Sequence, residues 1–485
     1  MNINIRSMNR QQLKSATQRR PDKGYAAGFL KRTCLSLLPA LLCMHAAHAQ
    51  TAEELIAASQ AGASPLYFDV HTANVPLVTT GSFRDERECN VRKGLPNFFH
   101  KALNGKTVTA GFIGGSITQG SACYRPQTAK YLQSMFPGVT LKALNAGVSG
   151  TGTDLGACRL HDQLLQYHPD LIFVEFAVNG AYAPGMEGII RQIRQFDPEI
   201  DICLIYTISN GQTKIYAEGD VPENIAGLEK VAAHYGIPSI HLGMEAAMLE
   251  KSGELHWKHN GDVPGKIIFS RDGIHPLPAG GNLYAAAIAR GMQQMKKLNT
   301  PLRHAIPAPL FPDNWEDAGM YAPLELAQFS EGWQKTATRQ QFAAWFPYIM
   351  EASAPGASFT FRFNGTAFGL FTIGGPEAGQ LGITVDGKPL PLSTRPLPGT
   401  RIFRPGEQPW LNLFNSYCNN RYRGQHDLVA LPPGDHTVTI QLSTEKADKV
   451  KILGAQRQED ILQHPEKYDR TVIYLGKILL RGRRI

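Results

Sequence analysis

Cysteine is scarce in this chain, seven in 485 residues. None forms a Cys-x-x-Cys pair or falls at the His/Cys spacing of a zinc site, so no metal centre and no cofactor is expected. No apolar run reaches the roughly 20 residues that a membrane helix requires, which leaves no integral membrane segment once a leader is removed. Internal repeats and low-complexity tracts are also lacking. The net charge of +8 is misleading, because residues 1–49 hold eight Lys or Arg against one Asp. The rest of the chain is nearly neutral, so nothing points to a nucleic acid or membrane-surface partner.

What is present describes a globular protein. Hydrophobic residues make up 43% and charged residues 19%, enough for a real core, while 47 Gly and 32 Pro favour many turns. The length implies two or three domains. Residues 1–49 read as a signal peptide: Lys31-Arg32, an apolar run from Cys34 to Met44, and Ala47-His48-Ala49 before Gln50. Leu42 is too bulky for a lipoprotein site at Cys43. The mature protein is therefore expected to be exported, periplasmic or extracellular. Five cysteines remain in it, an odd number. Cys89 with Cys123 is the candidate bridge, and Cys203, in an apolar run, reads as a buried thiol.

The pattern changes along the chain. Residues 50–104 form an N-terminal segment with a helical stretch, Thr51 to Ala61, and a strand-like piece, Pro65 to Val70. Over 105–298, strand-like runs at Val108–Ile113, Val139–Leu144, Leu171–Val178, Ile202–Ile208 and Ile237–Ile240 alternate with helical stretches. Those stretches are Thr128–Met135, Asp154–Tyr167, Gly188–Gln195, Pro222–Tyr235 and Ala279–Met295. Such alternation predicts an α/β domain with a parallel sheet. Residues 299–345 read as a surface linker in which Trp315, Trp333 and Trp345 seek burial. From 346 to 485 the period becomes two, as at Phe359, Phe361 and Phe363, at Val438, Ile440 and Leu442, and in a terminal run Val472–Leu480. Val385-Asp386-Gly387-Lys388 reads as a type I′ hairpin turn. This part is expected to be an all-β sandwich domain.

Four segments in fixed order carry the chemistry: Gly114-Gly115-Ser116-Ile117-Thr118, Asn145 to Gly150, Phe176-Ala177-Val178-Asn179, and Asp272-Gly273-Ile274-His275. Each of the first three follows or ends a strand-like run, where an α/β sheet gathers its functional groups. Ser116, in a glycine turn before a helical region, is a candidate nucleophile, or else a helix N-cap. Asp272 and His275 lie three apart, so the carboxylate can orient an imidazole that takes the serine proton. Gly150 offers a bare backbone N–H, although Gly147 and Gly152 compete for that role. Asn179 offers an amide at the end of an apolar strand, or else an Asn-Gly turn. Together they are an inventory for acyl transfer through a serine ester. A phosphate loop would need a Gly-Lys-Ser/Thr that is missing, and no Gly-x-Ser-x-Gly elbow surrounds Ser116.

In this order and spacing the segments resemble the SGNH hydrolases, the GDSL esterase/lipase superfamily, over about 105–298. The resemblance implies a three-layer α/β/α flavodoxin-like SGNH domain with catalytic Ser116, Asp272 and His275, and an oxyanion hole of Gly150 and Asn179. It also implies hydrolysis of esters, often acetyl groups on carbohydrate, so the expected partner is an acylated carbohydrate or small ester. Gly115 departs from the aspartate of the GDSL name, and Gly180 from the aspartate that usually follows the asparagine. An exported carbohydrate O-acyltransferase would use the same triad, and a non-catalytic carbohydrate-binding protein could use the same fold. His256, Trp257 and His259 are further cleft candidates or an exposed loop. Glu175 reads as an acid or a buried paired carboxylate. Trp410, Tyr417 and Tyr422 read as sugar-stacking or core aromatics.

Overall fold

The computed structural model describes residues 62, 66–72, 74–455 and 457–485. The leader and the helix expected over Thr51–Ala61 lie outside the described residues. Among the described residues, six strands form the first sheet: β1 (Cys89–Asn90), β2 (Val108–Gly114), β3 (Leu141–Gly147), β4 (Leu171–Glu175), β5 (Asp201–Tyr206) and β6 (Ser239–His241). Their order is β1-β6-β5-β4-β2-β3. β2 through β6 are parallel, and β1 joins β6 antiparallel. The five parallel strands follow the flavodoxin order, with the reversal beside β2: the chain steps to β3 on one side and then to β4 on the other. β4 and β5 are buried at every position. That is why they read as unbroken apolar runs and not as alternations.

Strand ends differ from the sequence expectation by a few residues, each for a local reason. β3 starts at Leu141 because Val139 closes a turn onto the Phe136 carbonyl. β4 stops at Glu175 because Asn179 N donates to Phe176 O at 3.0 Å, turning the chain before the apolar run ends. The helix Ala183–Phe196 begins before the expected Gly188, with Pro184 tolerated in its first turn. Of the strand-like piece expected over Pro65 to Val70, the described residues form only an isolated bridge, Tyr67 to Leu144, and not a strand.

In the second half of the chain the described residues form a large, mainly antiparallel sheet of eleven strands. Its spine is two long strands, Ser358–Gly374 and Arg423–Leu442, paired along most of their length, and the terminal strand Ile473–Arg484 adds to the first of them. Phe359, Phe361 and Phe363 are all buried, as their period of two requires. Asp386 and Gly387 take φ of 52° and 78°, the two positive angles of the expected tight hairpin. The stretch 299–345, expected as a linker, contributes Ala318–Tyr321, Ala327–Phe329 and Trp333–Thr336 to this same sheet. One buried apolar cluster spans both parts, joining Phe112, Phe173 and Leu155 with Phe371, Leu428 and Val472.

The expected Cys89–Cys123 bridge does not form. Cys89 sits on the edge strand β1, whereas Cys123 turns its Sγ to the Pro276 carbonyl at 3.8 Å. All five described cysteines are free and buried. Burial pushes the thiols of Cys89 and Cys123 up to about 12, which keeps them protonated and unreactive. No described helix is long and apolar enough to cross a membrane.

Candidate active site

The C-terminal ends of β2, β3 and β4 lie side by side at the reversal in strand order. Ser116 follows β2 as the first residue of a short helix, Ser116–Gln119, with Gly115 as its N-cap. It is therefore not the N-cap that a serine in this position suggests. Gly115 is required by close approach: a Cβ there would overlap the Asn179 amide. This accounts for the missing aspartate at 115. Beneath the turn, Glu175 is fully buried. It accepts hydrogen bonds from Thr118 Oγ1 at 2.9 Å and Thr207 Oγ1 at 2.6 Å. Burial raises its carboxyl above the ordinary range, against the pull of these hydroxyls. Glu175 therefore braces the serine turn and does not line the cleft. Arg159, also buried, donates to the carbonyls of Gly114 (2.9 Å) and Ala146 and so ties β2 to β3.

Asp272 and His275 arrive from the loop before the helix Pro278–Met295. His275 Nε2 lies 2.6 Å from Ser116 Oγ, and His275 Nδ1 lies 2.5 Å from Asp272 Oδ2. The other oxygen, Asp272 Oδ1, accepts from the backbone N–H groups of Ile274 and His275 and from Ser270 Oγ, each at 2.9 Å. Burial alone would raise the Asp272 pKa, but the His275 contact and the two amides hold the carboxyl well below the usual range. An ionised Asp272 favours the tautomer with its proton on Nδ1, leaving Nε2 able to accept the serine proton. Trp257, a cleft candidate from sequence, is instead core. It stacks on Phe269 with ring centroids 3.9 Å apart and donates its indole N–H to Gly273 O at 3.0 Å, which props this loop. His256 and His259 pack against each other away from the cleft.

Asn179 and Gly150 face the same cavity as Ser116 and His275, a space of about 390 Å³. The Asn179 side chain is partly buried and makes no hydrogen bond to the described residues; its Oδ1 is an unsatisfied buried atom. Oδ1 is an acceptor packed against Gly115, so the part of the amide left for a ligand is the Nδ2–H donors, which have no partner among the described residues either. Gly180 takes φ of 86°, and a Cβ there would overlap the Gly399 carbonyl. The aspartate that usually follows the asparagine is thus excluded by a loop of the C-terminal sheet. The Asn179 turn gains support from that loop and from Asn224 Nδ2, which donates to Ala177 O at 2.8 Å.

The sequence reading did not foresee most of the opposite wall. Arg401, Asn415, Ser416, Arg421, Arg423 and Gln425 line the cavity from the C-terminal sheet, with Tyr417 among them. Of the three aromatics singled out, Tyr417 lines the cavity, while Tyr422 bonds to Glu377 at 2.8 Å. The wall is latched by the buried Asp154, which accepts from Arg401 N at 2.7 Å and pairs with His426 Nε2 at 3.1 Å. These partners lie far apart in sequence and carry no motif, so only their shared basic and polar character could have hinted at a site. Among the described residues, no group of three or more His, Cys, Asp or Glu is arranged to hold a metal ion.

Residues 112–283 match the model of the GDSL-like Lipase/Acylhydrolase family. That part of the chain is a GDSL-like hydrolase domain, of the carboxylic ester hydrolase class. Among solved structures, a two-domain esterase (CEX) active on acetylated mannans is similar, with a TM-score of 0.61 and 20% identity over 81% of this chain and 96% of that one. A two-domain esterase (CEX) co-crystallised with mannopentaose gives 0.59 and 19%, over 79% and 93% of the respective chains. At this identity the likeness is one of fold, and it extends over both sheets. No curated protein sequence matches the chain.

Proposed function

We propose that the protein is an exported serine esterase that removes acetyl or other short acyl groups from carbohydrate. His275 takes the proton of Ser116 Oγ as the oxygen attacks the ester carbonyl. The N–H groups of Ser116 and Gly150 and the Asn179 amide hold the developing oxyanion, while Asp272 stabilises the imidazolium. The C–O bond to the sugar then breaks, and His275 gives its proton to the leaving hydroxyl. Water, deprotonated by the same imidazole, attacks the acyl-enzyme and releases the acid. Residues 105–298 carry this chemistry, and 346–485 wall the cleft.

The observation that carries the reading is the unbroken chain Asp272–His275–Ser116 opening into a polar cavity. Support for carbohydrate comes from the polar lining of the cavity, the Ser416 hydroxyl included, and from the acetylated mannans on which the similar CEX esterase acts. Support for export comes from the leader-like residues 1–49. The test is acetate release from acetylated polysaccharides and aryl acetates by the wild type and by Ser116→Ala. The variant should lose on the order of 10⁴-fold or more in kcat with its circular dichroism unchanged. A folded variant with full activity would refute the assignment.

A further inference from the structure

The wall facing the serine carries more positive charge than its neighbours balance. Arg401 is matched by Asp427, which it contacts through both Nε and Nη2. Arg421 and Arg423 have no carboxylate partner among the described residues. Arg423 spends one donor on the Ser149 carbonyl at 3.2 Å and lies over the Tyr417 ring at 4.9 Å. Its guanidinium sits against Gly150, where an added Cβ would overlap Nη2. Arg421 makes no hydrogen bond to the described residues, yet it too lines the cavity. Burial, with the charges of Arg421 and Arg401 close by, pushes the Arg423 guanidinium below its usual range. Partly buried cations without a counter-ion are costly unless a ligand supplies the charge. A guanidinium fork matches a carboxylate through paired N–H donors.

We propose that Arg421 and Arg423 form an anion subsite that receives a carboxylate borne on the sugar, so that the substrate is an acylated glycan containing uronic acid. This rests on the serine esterase reading and narrows it. The subsite adjoins Ser149 and Gly150, so a uronate seated there places the ester of the same or the neighbouring sugar near Ser116. Tyr417, 57% exposed beneath Arg423, gives the ring a flat surface to lie on. Arg401 is held to Asp427 and leaves the two unmatched arginines as the recognising pair.

Two measurements on the full chain test this. The first compares kcat/KM on acetylated polygalacturonate and on acetylated mannan, for the wild type, Arg421→Gln and Arg423→Gln. The second is calorimetric binding of unacetylated galacturonate and mannose oligosaccharides to the same proteins. The wild type should prefer the acidic glycan by about tenfold or more, and each substitution should lower that preference by about tenfold, the usual cost of a charged hydrogen bond. The preference should also shrink as salt is raised, since partly exposed charges are screened. Arg421 has no protein hydrogen bond to lose, so its variant keeps the test valid if Arg423→Gln misfolds. Equal kcat/KM on the two glycans, or a preference unchanged in Arg421→Gln, would overturn the subsite. Absence of hydrolysis on every ester, with selective uronate binding that Arg421→Gln abolishes, would overturn the esterase reading and uphold the subsite.

Discussion

Replacing Asp272 by Asn separates charge and tautomer from geometry more cleanly than any other change at this site. In Asp272→Asn the amide oxygen can take the place of Oδ1 and still accept from Ile274 N, His275 N and Ser270 Oγ, each now at 2.9 Å, so the loop should keep its shape. The other side-chain atom becomes an NH₂ facing His275 Nδ1 across the present 2.5 Å contact. A donor there requires Nδ1 to accept, which moves the imidazole proton to Nε2 and points it at Ser116. The base is then blocked, and kcat should fall by about 10⁴, with KM changed far less. Stability offers an independent check. The folded-state pKa of Asp272 is depressed below its ordinary 3.8. Its stabilising contribution is therefore present at neutral pH, begins to fade as pH drops below that value, and is lost through the folded pKa. The wild type should lose stability over that acid range more steeply than Asp272→Asn. The assays are aryl acetate hydrolysis and acid titration followed by circular dichroism. A folded Asp272→Asn protein within tenfold of wild-type kcat would refute the tautomer argument.

Other perturbations probe the supports of the site. Asn179→Ala should lower kcat by about 10²–10³, the usual loss of one oxyanion donor, and stopped-time hydrolysis with an unchanged rate would reduce Asn179 to a turn residue. Glu175→Ala strands the Thr207 hydroxyl in the core, at about 1–3 kcal/mol for an unsatisfied group, while Thr118 Oγ1 keeps its 2.8 Å contact with the Tyr124 hydroxyl; a clear drop in Tm is expected, and a melting curve equal to wild type would count against its bracing role. Gly115→Ala forces a methyl group into the Asn179 amide; the resulting loss of activity should be much smaller in an Asn179→Ala background than in the wild type, and additive losses would argue against that clash.

The serine turn, the Asp-x-x-His pair and the alternation of strands with helices were legible because each is a local pattern. A glycine turn after an apolar run, or two side chains three residues apart on a tight loop, is built by neighbours in the chain. Phe359, Phe361 and Phe363 announced a strand for the same reason. Boundaries were less legible where a hydrogen bond outside the apolar pattern ended an element, as Asn179 N does for β4. The strands within 299–345 were missed because each is three or four residues long and finds its partner elsewhere in the large sheet. The Cys89–Cys123 pairing failed because counting thiols says nothing of their separation in space.

By itself the sequence determined which residues are candidates for a nucleophile, a base and its carboxylate, and that Ser116 follows a strand of a parallel sheet. Only the tertiary structure decided what surrounds them. Ser149 and Arg423 touch across 274 positions, and Asp154 and His426 across 272. The same holds for Gly180 against Gly399, a contact that explains a departure from the family pattern which the sequence could only register. Periodicity records which face of an element is buried, because neighbouring residues share that face. It does not record which distant element does the burying, and in this protein that element supplies one wall of the cavity.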